Sequence, residues 1–137
     1  MVVFIACKYK DWTQLTVMPT EGREQKSIEL KSVFNQIDRY IRENYADRYL
    51  QRLDVLEHFS ISRSILNQMM NDYAGGMSFP SYVNQIRLDI ACSLLRSNRN
   101  MKIAEIAESV GLTTHNLHHL FKARYQLTPA EFRKRKL

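Results

Sequence analysis

Residues 103–112 read IAEIAESVGL and form the clearest pattern in this 137-residue chain. Ile103, Ile106, Ala107 and Val110 recur at the three- and four-residue spacing that places side chains on one face of a helix. Gly111 can adopt the left-handed backbone conformation that a tight turn requires. The spacing therefore predicts a helix over 103–109 and then a turn, as in the first half of a helix-turn-helix unit.

A second helix is predicted after this turn, with Thr113 or Thr114 as its cap and its end near Tyr125. Its inner side would carry Leu117, Leu120 and Phe121. The residues predicted to face outward can bond to base edges and phosphates, and they are Thr114, His115, His118, His119 and Lys122. His115 and His119 have the spacing of a metal-binding pair, but we expect no metal because this face offers no further ligand.

A weaker version of the same pattern occupies residues 50–74. A helix over about 50–59 precedes Ser62, a candidate cap for a helix over 63–74 that Gly75-Gly76 ends. Its predicted inner side carries Leu66, Met69, Met70 and Tyr73. The residues predicted to face outward are Arg63, Ser64, Asn67, Gln68 and Asn71. Asn and Gln side chains can form paired hydrogen bonds with adenine, and Arg can bind guanine or a phosphate.

Two longer helices and a last short one complete an all-α fold of about seven helices. One is predicted from Ser27 to about Asn44, and the other over 78–97 as a linker between the two units. Thr128-Pro129-Ala130-Glu131 is a capping box with proline at the first helical position, which predicts the last helix. We expect a partly ordered arm over 1–26, with a short strand at Val2–Ile5 and a turn at Met18–Gly22. Subdomains over 27–77 and 98–137 would flank the linker.

The composition favours a soluble, cytoplasmic, non-enzymatic protein. Net charge is +6, and residues 111–137 hold six Lys or Arg against one acid, Glu131. This balance favours a polyanionic partner. Cys7 and Cys92 show no metal-ligand spacing and suggest free thiols in a reducing compartment. Neither a membrane span nor a catalytic constellation stands out, so we expect no membrane association, no enzyme activity and no cofactor.

Three ordered blocks, covering roughly residues 32–134, resemble the AraC/XylS family of transcriptional regulators. The main block reads IAxxVGL over 106–112, LxxxFK over 117–122 and LTPxxFR over 127–133. YVNQIRLDIAxxLL over 82–95 is similar to the family's linker helix, and Gly76-Met77-Ser78-Phe79 before it also fits. The chain departs from the pattern at Leu112, where the family has Phe, and in a second turn that is one residue short. In the first unit, Leu56, Ser60 and Met70 replace the usual small residue, Gly and Phe, and there is an extra residue near Ala74-Gly75.

The resemblance implies a sequence-specific regulator of double-stranded DNA, expected to be an activator that contacts RNA polymerase. It implies that both recognition helices enter adjacent major grooves, so that a monomer reads an asymmetric site. The chain is similar to the short stand-alone members, the C-terminal part of a longer regulator being the other possibility. Arg87 and Arg96 are expected to contact phosphates or form salt bridges. The alternative function is a protein-interaction module that modulates another regulator without reading DNA.

Overall fold

The computed structural model describes residues 20–135, with side chains from Glu24 onward, and this part of the chain is helical without a strand. Its seven helices are α1 (Thr20–Asn44), α2 (Arg52–Phe59), α3 (Arg63–Tyr73), α4 (Phe79–Ser97), α5 (Ile103–Ser109), α6 (Thr114–Tyr125) and α7 (Pro129–Lys134). The predicted all-α class is confirmed. The predicted strand at Val2–Ile5, Cys7 and Lys136 lie outside the described residues.

One predicted boundary was wrong. Helix α1 begins at Thr20, whereas the predicted helix begins at Ser27 and the predicted turn includes Thr20–Gly22. A single glycine costs a helix only about 1 kcal/mol relative to alanine. Glu21, Arg23 and the residues that follow are good helix formers, so Gly22 does not stop the helix.

Chain contacts divide the protein into two compact units, and the division falls within both long helices. The first unit contains residues up to Ile41 together with Gln51–Pro80, and the second contains Arg42–Leu50 together with the residues from Ser81 onward. Each unit thus holds one pair of helices joined by a turn. The pair is α2 and α3 in the first unit and α5 and α6 in the second.

In the first unit, α1 supports α3 through buried apolar residues and through polar contacts between Ser27 and Tyr73. Leu30, Val33 and Ile37 are at most 2% exposed, as are Leu66 and Met69 of α3. The Tyr73 hydroxyl at the end of α3 donates a hydrogen bond to the Ser27 carbonyl at 2.9 Å. Helix α3 is therefore held by its apolar side, which leaves the opposite side for solvent or a ligand.

The second unit has one apolar core that joins α4, α5, α6 and α7. The Phe121 ring lies 5.2 Å from the Phe132 ring, edge to face, and 4.6 Å from Tyr125. The buried residues of this core are Leu88, Ala91, Leu95, Ile106, Ala107, Val110, Leu112, Leu117, Phe121 and Phe132. Leu112, which stands where the family has Phe, is only 6% exposed and so fills the same kind of core position.

Candidate nucleic-acid interface

Helix α3 presents the polar face that the sequence predicted. Its N-cap is Ser62, whose Oγ accepts a hydrogen bond from the Ile65 N–H at 3.1 Å. All five predicted residues are exposed: Arg63, Ser64, Asn67, Gln68 and Asn71. Four apolar residues of the same helix are buried: Ile65, Leu66, Met69 and Met70. The helix is thus amphipathic, with amide and guanidinium groups along its solvent side.

Two charged residues beside this face were missed by the sequence analysis. Arg52, the first residue of α2, lines a depression of about 320 Å³ together with Asn67 and Asn71. Asp72 is exposed. It follows Gln68 by four residues in α3, which makes the two side chains neighbours on the helix surface. Helical periodicity could have found Asp72, but only the fold brings Arg52 to this side of α3.

Helix α6 presents a second polar face. Its N-cap is Thr113, whose Oγ1 accepts a hydrogen bond from the Asn116 N–H at 3.1 Å. Of the predicted residues, Thr114, His115, His119 and Lys122 are exposed, and His118 is half-buried. The three histidines and Lys122 line one shallow depression of about 530 Å³.

His118 differs from the other two histidines because its ring is held by the backbone. Its Nδ1 lies 2.9 Å from the Thr114 carbonyl oxygen. A carbonyl oxygen only accepts hydrogen bonds, so Nδ1 carries the hydrogen in this contact. In the neutral ring Nε2 is then an acceptor, which suits an exocyclic amino group of a base.

Two further polar residues line a neighbouring depression of the second unit with His119. They are Asn116, which is exposed on α6, and Arg48, which is exposed in the segment between α1 and α2. Asn116 follows from helical periodicity, since it precedes His119 by three residues. Arg48 could not be found from the sequence, because it is far from α6 along the chain.

The turn before α6 is fixed by a close approach to the segment after α1. Gly111 is buried with φ +78°, and a Cβ at this position would lie 2.7 Å from the Tyr45 carbonyl oxygen. The Leu112 N–H closes the turn by donating to the Ala107 carbonyl at 2.9 Å. A side chain at position 111 would both strain the backbone and push these two segments apart.

Arg87 holds the same segment from the other side, which corrects its predicted role. It is 6% exposed, and its Nε and one terminal nitrogen donate to the carbonyl oxygens of Tyr45 at 2.9 Å and Asp47 at 2.8 Å. Burial lowers the pKa of the Arg87 guanidinium, and the Asp47 carboxylate opposes that shift. Two of the Arg87 guanidinium nitrogens therefore bond to the backbone of its own chain.

Arg96 also packs within the second unit. Its guanidinium carbon lies 4.9 Å from the centre of the Phe132 ring, in a cation–π contact. Arg124 of α6 forms an ion pair with Asp89 of α4 at 3.3 Å, so these two exposed charges partly neutralise each other.

Neither a metal centre nor a membrane-spanning helix is found in the part of the chain that the structure describes. Within residues 20–135, no three His, Cys, Asp or Glu side chains come together in a group that could hold a metal ion. Over the same residues, none of the helices is both long and apolar enough to cross a bilayer.

The chain matches a family model and several known proteins. The model, described as a helix-turn-helix domain, matches residues 55–135. YfiF of Bacillus subtilis strain 168, an uncharacterised helix-turn-helix transcriptional regulator, is 29% identical over 102 residues, which are 74% of this chain but only 32% of YfiF. The chain thus spans about a third of the length of this relative.

Two solved structures are similar over three quarters of this chain. The C-terminal domain of AraT, a response regulator from Geobacillus stearothermophilus, is 29% identical with a TM-score of 0.69, covering 75% of this chain and 84% of that domain. The C-terminal domain of the two-component response regulator YesN from Fusobacterium nucleatum is 30% identical with a TM-score of 0.67, covering 75% and 99%. Together with the family model, which matches more than half of the chain, these similarities show that the protein belongs to the AraC/XylS family and carries the helix-turn-helix DNA-binding domain of a transcriptional regulator.

Proposed function

We propose that this chain recognises a specific site on double-stranded DNA by inserting α3 and α6 into adjacent major grooves. The observation that carries the proposal is that both helices bury one side and expose a continuous polar side. A helix with side chains fits the major groove of B-form DNA, where each base pair presents a distinct pattern of donors and acceptors. Two such faces in one chain suit a reader with two contact regions.

The two faces would read different bases. On α3, Asn67, Gln68 and Asn71 can bond to adenine, while Arg63 suits guanine or a phosphate and Ser64 suits a base or a phosphate. On α6, the imidazoles of His115, His118 and His119 offer ring nitrogens to base edges, with Thr114 and Lys122 directed to phosphates or bases. Because the two sets differ, one protomer would bind an asymmetric site as a monomer.

The length of the linker supports adjacent grooves. Helix α4 has 19 residues, which at 1.5 Å per residue corresponds to about 28 Å. One turn of DNA measures about 34–36 Å. The length of α4 is thus comparable to one turn of DNA. We propose that DNA recognition is divided between subdomains over 27–77 and 98–137, with the linker over 78–97 and the arm over 1–26; the compact units described above have other bounds, because Arg42–Leu50 and the residues from Ser81 belong to the second unit.

The charge of the chain would supply the affinity that does not depend on sequence. Residues 111–137 carry six Lys or Arg against one acid. Neutralising phosphates releases counterions, so affinity for DNA should fall steeply as the salt concentration is raised.

We further propose that the chain, bound to its DNA site, acts in the cytoplasm as an activator with RNA polymerase as its protein partner.

Substitution of one residue on each face tests the proposal. Gln68→Ala removes an exposed amide of α3, and His119→Ala removes an exposed imidazole of α6. Each change is expected to lower discrimination between the specific duplex and a scrambled duplex by about 1–3 kcal/mol, because a base contact is lost. Affinity for the scrambled duplex should change little, since it depends on phosphate contacts.

Asn35→Ala is the matched control, because Asn35 is exposed on α1 and belongs to neither recognition helix. Fluorescence anisotropy with labelled duplexes at fixed salt gives the two affinities for each variant. Full discrimination by the Gln68→Ala/His119→Ala double variant would show that these faces do not read bases. Folded protein without affinity for any duplex would favour a protein-interaction module instead.

A further inference from the structure

Histidines are concentrated on one of the two polar faces. The chain has four, and three of them, His115, His118 and His119, lie on α6. The fourth, His58, lies on α2 with its ring stacked 4.4 Å from Tyr40. Histidine is the side chain whose charge ordinarily changes between about pH 5 and 8. The α6 face thus carries three residues of this type, whereas the predicted contact residues of α3 include no histidine.

The charged residues that line the two depressions around these histidines are all basic. Lys122 of α6 lines the depression shared by the three histidines, and Thr128 contributes an uncharged side chain from the start of α7. Arg48 and Arg87 line the depression beside His119. None of the residues lining these two depressions is an Asp or Glu, so none can form an ion pair with a protonated imidazole there.

The acidic residues on the elements packed against α6 lie outside both depressions. Glu105 of α5 and Glu131 of α7 accept hydrogen bonds from the backbone N–H of Lys102 and Thr128, each at 3.2 Å. Asp89 of α4 pairs with Arg124 of α6 at 3.3 Å. Glu108 of α5 is exposed and lines neither depression. Asp47, in the segment that packs against the turn before α6, accepts a hydrogen bond from the Tyr49 N–H at 2.9 Å, and Glu43 at the end of α1 is exposed. Because none of these acids lines either depression, a bound polyanion is the partner that suits a charged imidazole on this face.

We propose that DNA binding is coupled to proton uptake at His115 and His119, so that affinity for the specific site rises as pH falls through neutrality. The inference rests on the proposed function, because the rings would be stabilised in the protonated form by the negative charge of DNA while they contact base edges. An opposite charge within a few ångströms favours the charged form of a titratable group. A ligand that favours the protonated form takes up protons when it binds, and its affinity must then fall as pH rises.

His118 is left out of this pair because its Nδ1–H already bonds to the Thr114 carbonyl and its ring is half-buried. His115 and His119 are both exposed and one helical turn apart, so a single stretch of DNA backbone or base edge can reach both. A lysine or arginine in either place would stay charged over the whole range, and binding would not depend on pH.

The experiment measures the affinity for a duplex selected from a random library at about pH 6, 7 and 8, the range in which histidine titrates, at constant ionic strength. For the wild type, an average uptake of about half a proton over these roughly two pH units predicts an affinity roughly tenfold weaker at the highest pH than at the lowest. The dependence of affinity on salt should also be steeper at the lowest pH, because each charged imidazole at a phosphate adds about 0.9 to the logarithmic slope.

Two variants and one control separate the pair from other titrating groups. H115Q/H119Q should bind with an affinity and a salt slope that no longer change with pH, and H115R/H119R should bind tightly at every pH. H58Q, which removes the histidine that lies off this face, should keep the wild-type pH dependence. Glutamine and arginine are good helix formers, so the substitutions at these exposed positions should leave α6 intact.

The inference is overturned if the wild-type affinity changes less than about twofold over this range, or if H115Q/H119Q keeps the full pH dependence. Absence of specific binding at every pH would instead contradict the proposed function. The two failures are therefore distinguishable in the same set of titrations.

Discussion

Ser60 and Gly111 occupy equivalent turns of the two helix-turn-helix units, and exchanging their residue types tests how each turn is built. Ser60 caps the C-terminus of α2 in the left-handed region, with φ 51° and ψ 46°, and its side chain is exposed. Gly111 has φ +78° and is buried against the backbone of Tyr45 and Ala46. Ser60→Gly and Gly111→Ser should therefore change stability in opposite directions.

The expected magnitudes follow from the backbone geometry. An L-residue in the left-handed region costs about 1–2 kcal/mol, which Ser60→Gly relieves. Glycine also increases the conformational entropy of the unfolded chain, which reduces this gain in stability by about 0.4–1 kcal/mol. The net gain in the free energy of unfolding is about 0.5–1 kcal/mol, with no packing lost because the serine side chain is exposed.

Gly111→Ser reverses the backbone effect and adds a steric one. Its Cβ would lie 2.7 Å from the Tyr45 carbonyl oxygen and 3.0 Å from that of Ala46, and neither is the end of a flexible side chain. Strain from forcing extra atoms into a packed region is typically about 1–3 kcal/mol. The total loss is expected to be about 3 kcal/mol, and the recognition helix that follows the turn should be displaced with it.

Urea unfolding followed by circular dichroism measures both effects, provided that the slope with denaturant is the same in all variants. Ser60→Ala serves as the control, because it removes the hydroxyl but keeps the Cβ and so should gain nothing. A Ser60→Gly protein that is no more stable than Ser60→Ala, or a Gly111→Ser protein of wild-type stability, would refute this account of the turns.

Two other predictions concern the second unit. Arg87→Met should lower the free energy of unfolding by about 2–3 kcal/mol, because two partly buried hydrogen bonds from a charged donor are lost. Exposed Arg99→Met is the control, and a loss no larger than that of the control would count against the anchoring role. Burial, with a hydrogen bond to Cys92, raises the pKa of Tyr125 from 10.0 to about 12, and burial raises the pKa of the Cys92 thiol as well. The stability linked to Tyr125 is then complete below about pH 10, the value for an unfolded tyrosine, and is lost as pH rises towards about 12. Tyr125→Phe should flatten the alkaline decline of the urea midpoint over that range, and an unchanged decline would contradict the assignment.

The local features of the fold could be predicted from the sequence because they depend on neighbours in the chain. The caps at Ser62 and Thr113 and the capping box at Thr128 each join residues three positions apart, and all three are confirmed. The helix bounds at 103–109 and 114–125 are confirmed for the same reason. The start of α1 was wrong because one glycine among good helix formers is too weak a signal to end a helix.

Features that depend on distant residues could not be predicted. The role of Arg87 depends on carbonyl groups about 40 positions earlier, and the need for glycine at position 111 is set largely by Tyr45. Arg48 and Arg52 reach the two polar faces only through the fold. The ten predicted contact residues remain a prediction, since exposure on a recognition helix makes contact possible without identifying the bases.

Selection of the intact chain on a randomised duplex library at moderate salt tests the central claim most directly. The account predicts two enriched blocks of different sequence, with centres about 10–10.5 base pairs apart, one for each recognition helix. Gln68→Ala should erase one block and His119→Ala the other. A library without any enriched motif, or with a single block that neither substitution alters, would contradict the claim that this chain reads DNA with both units.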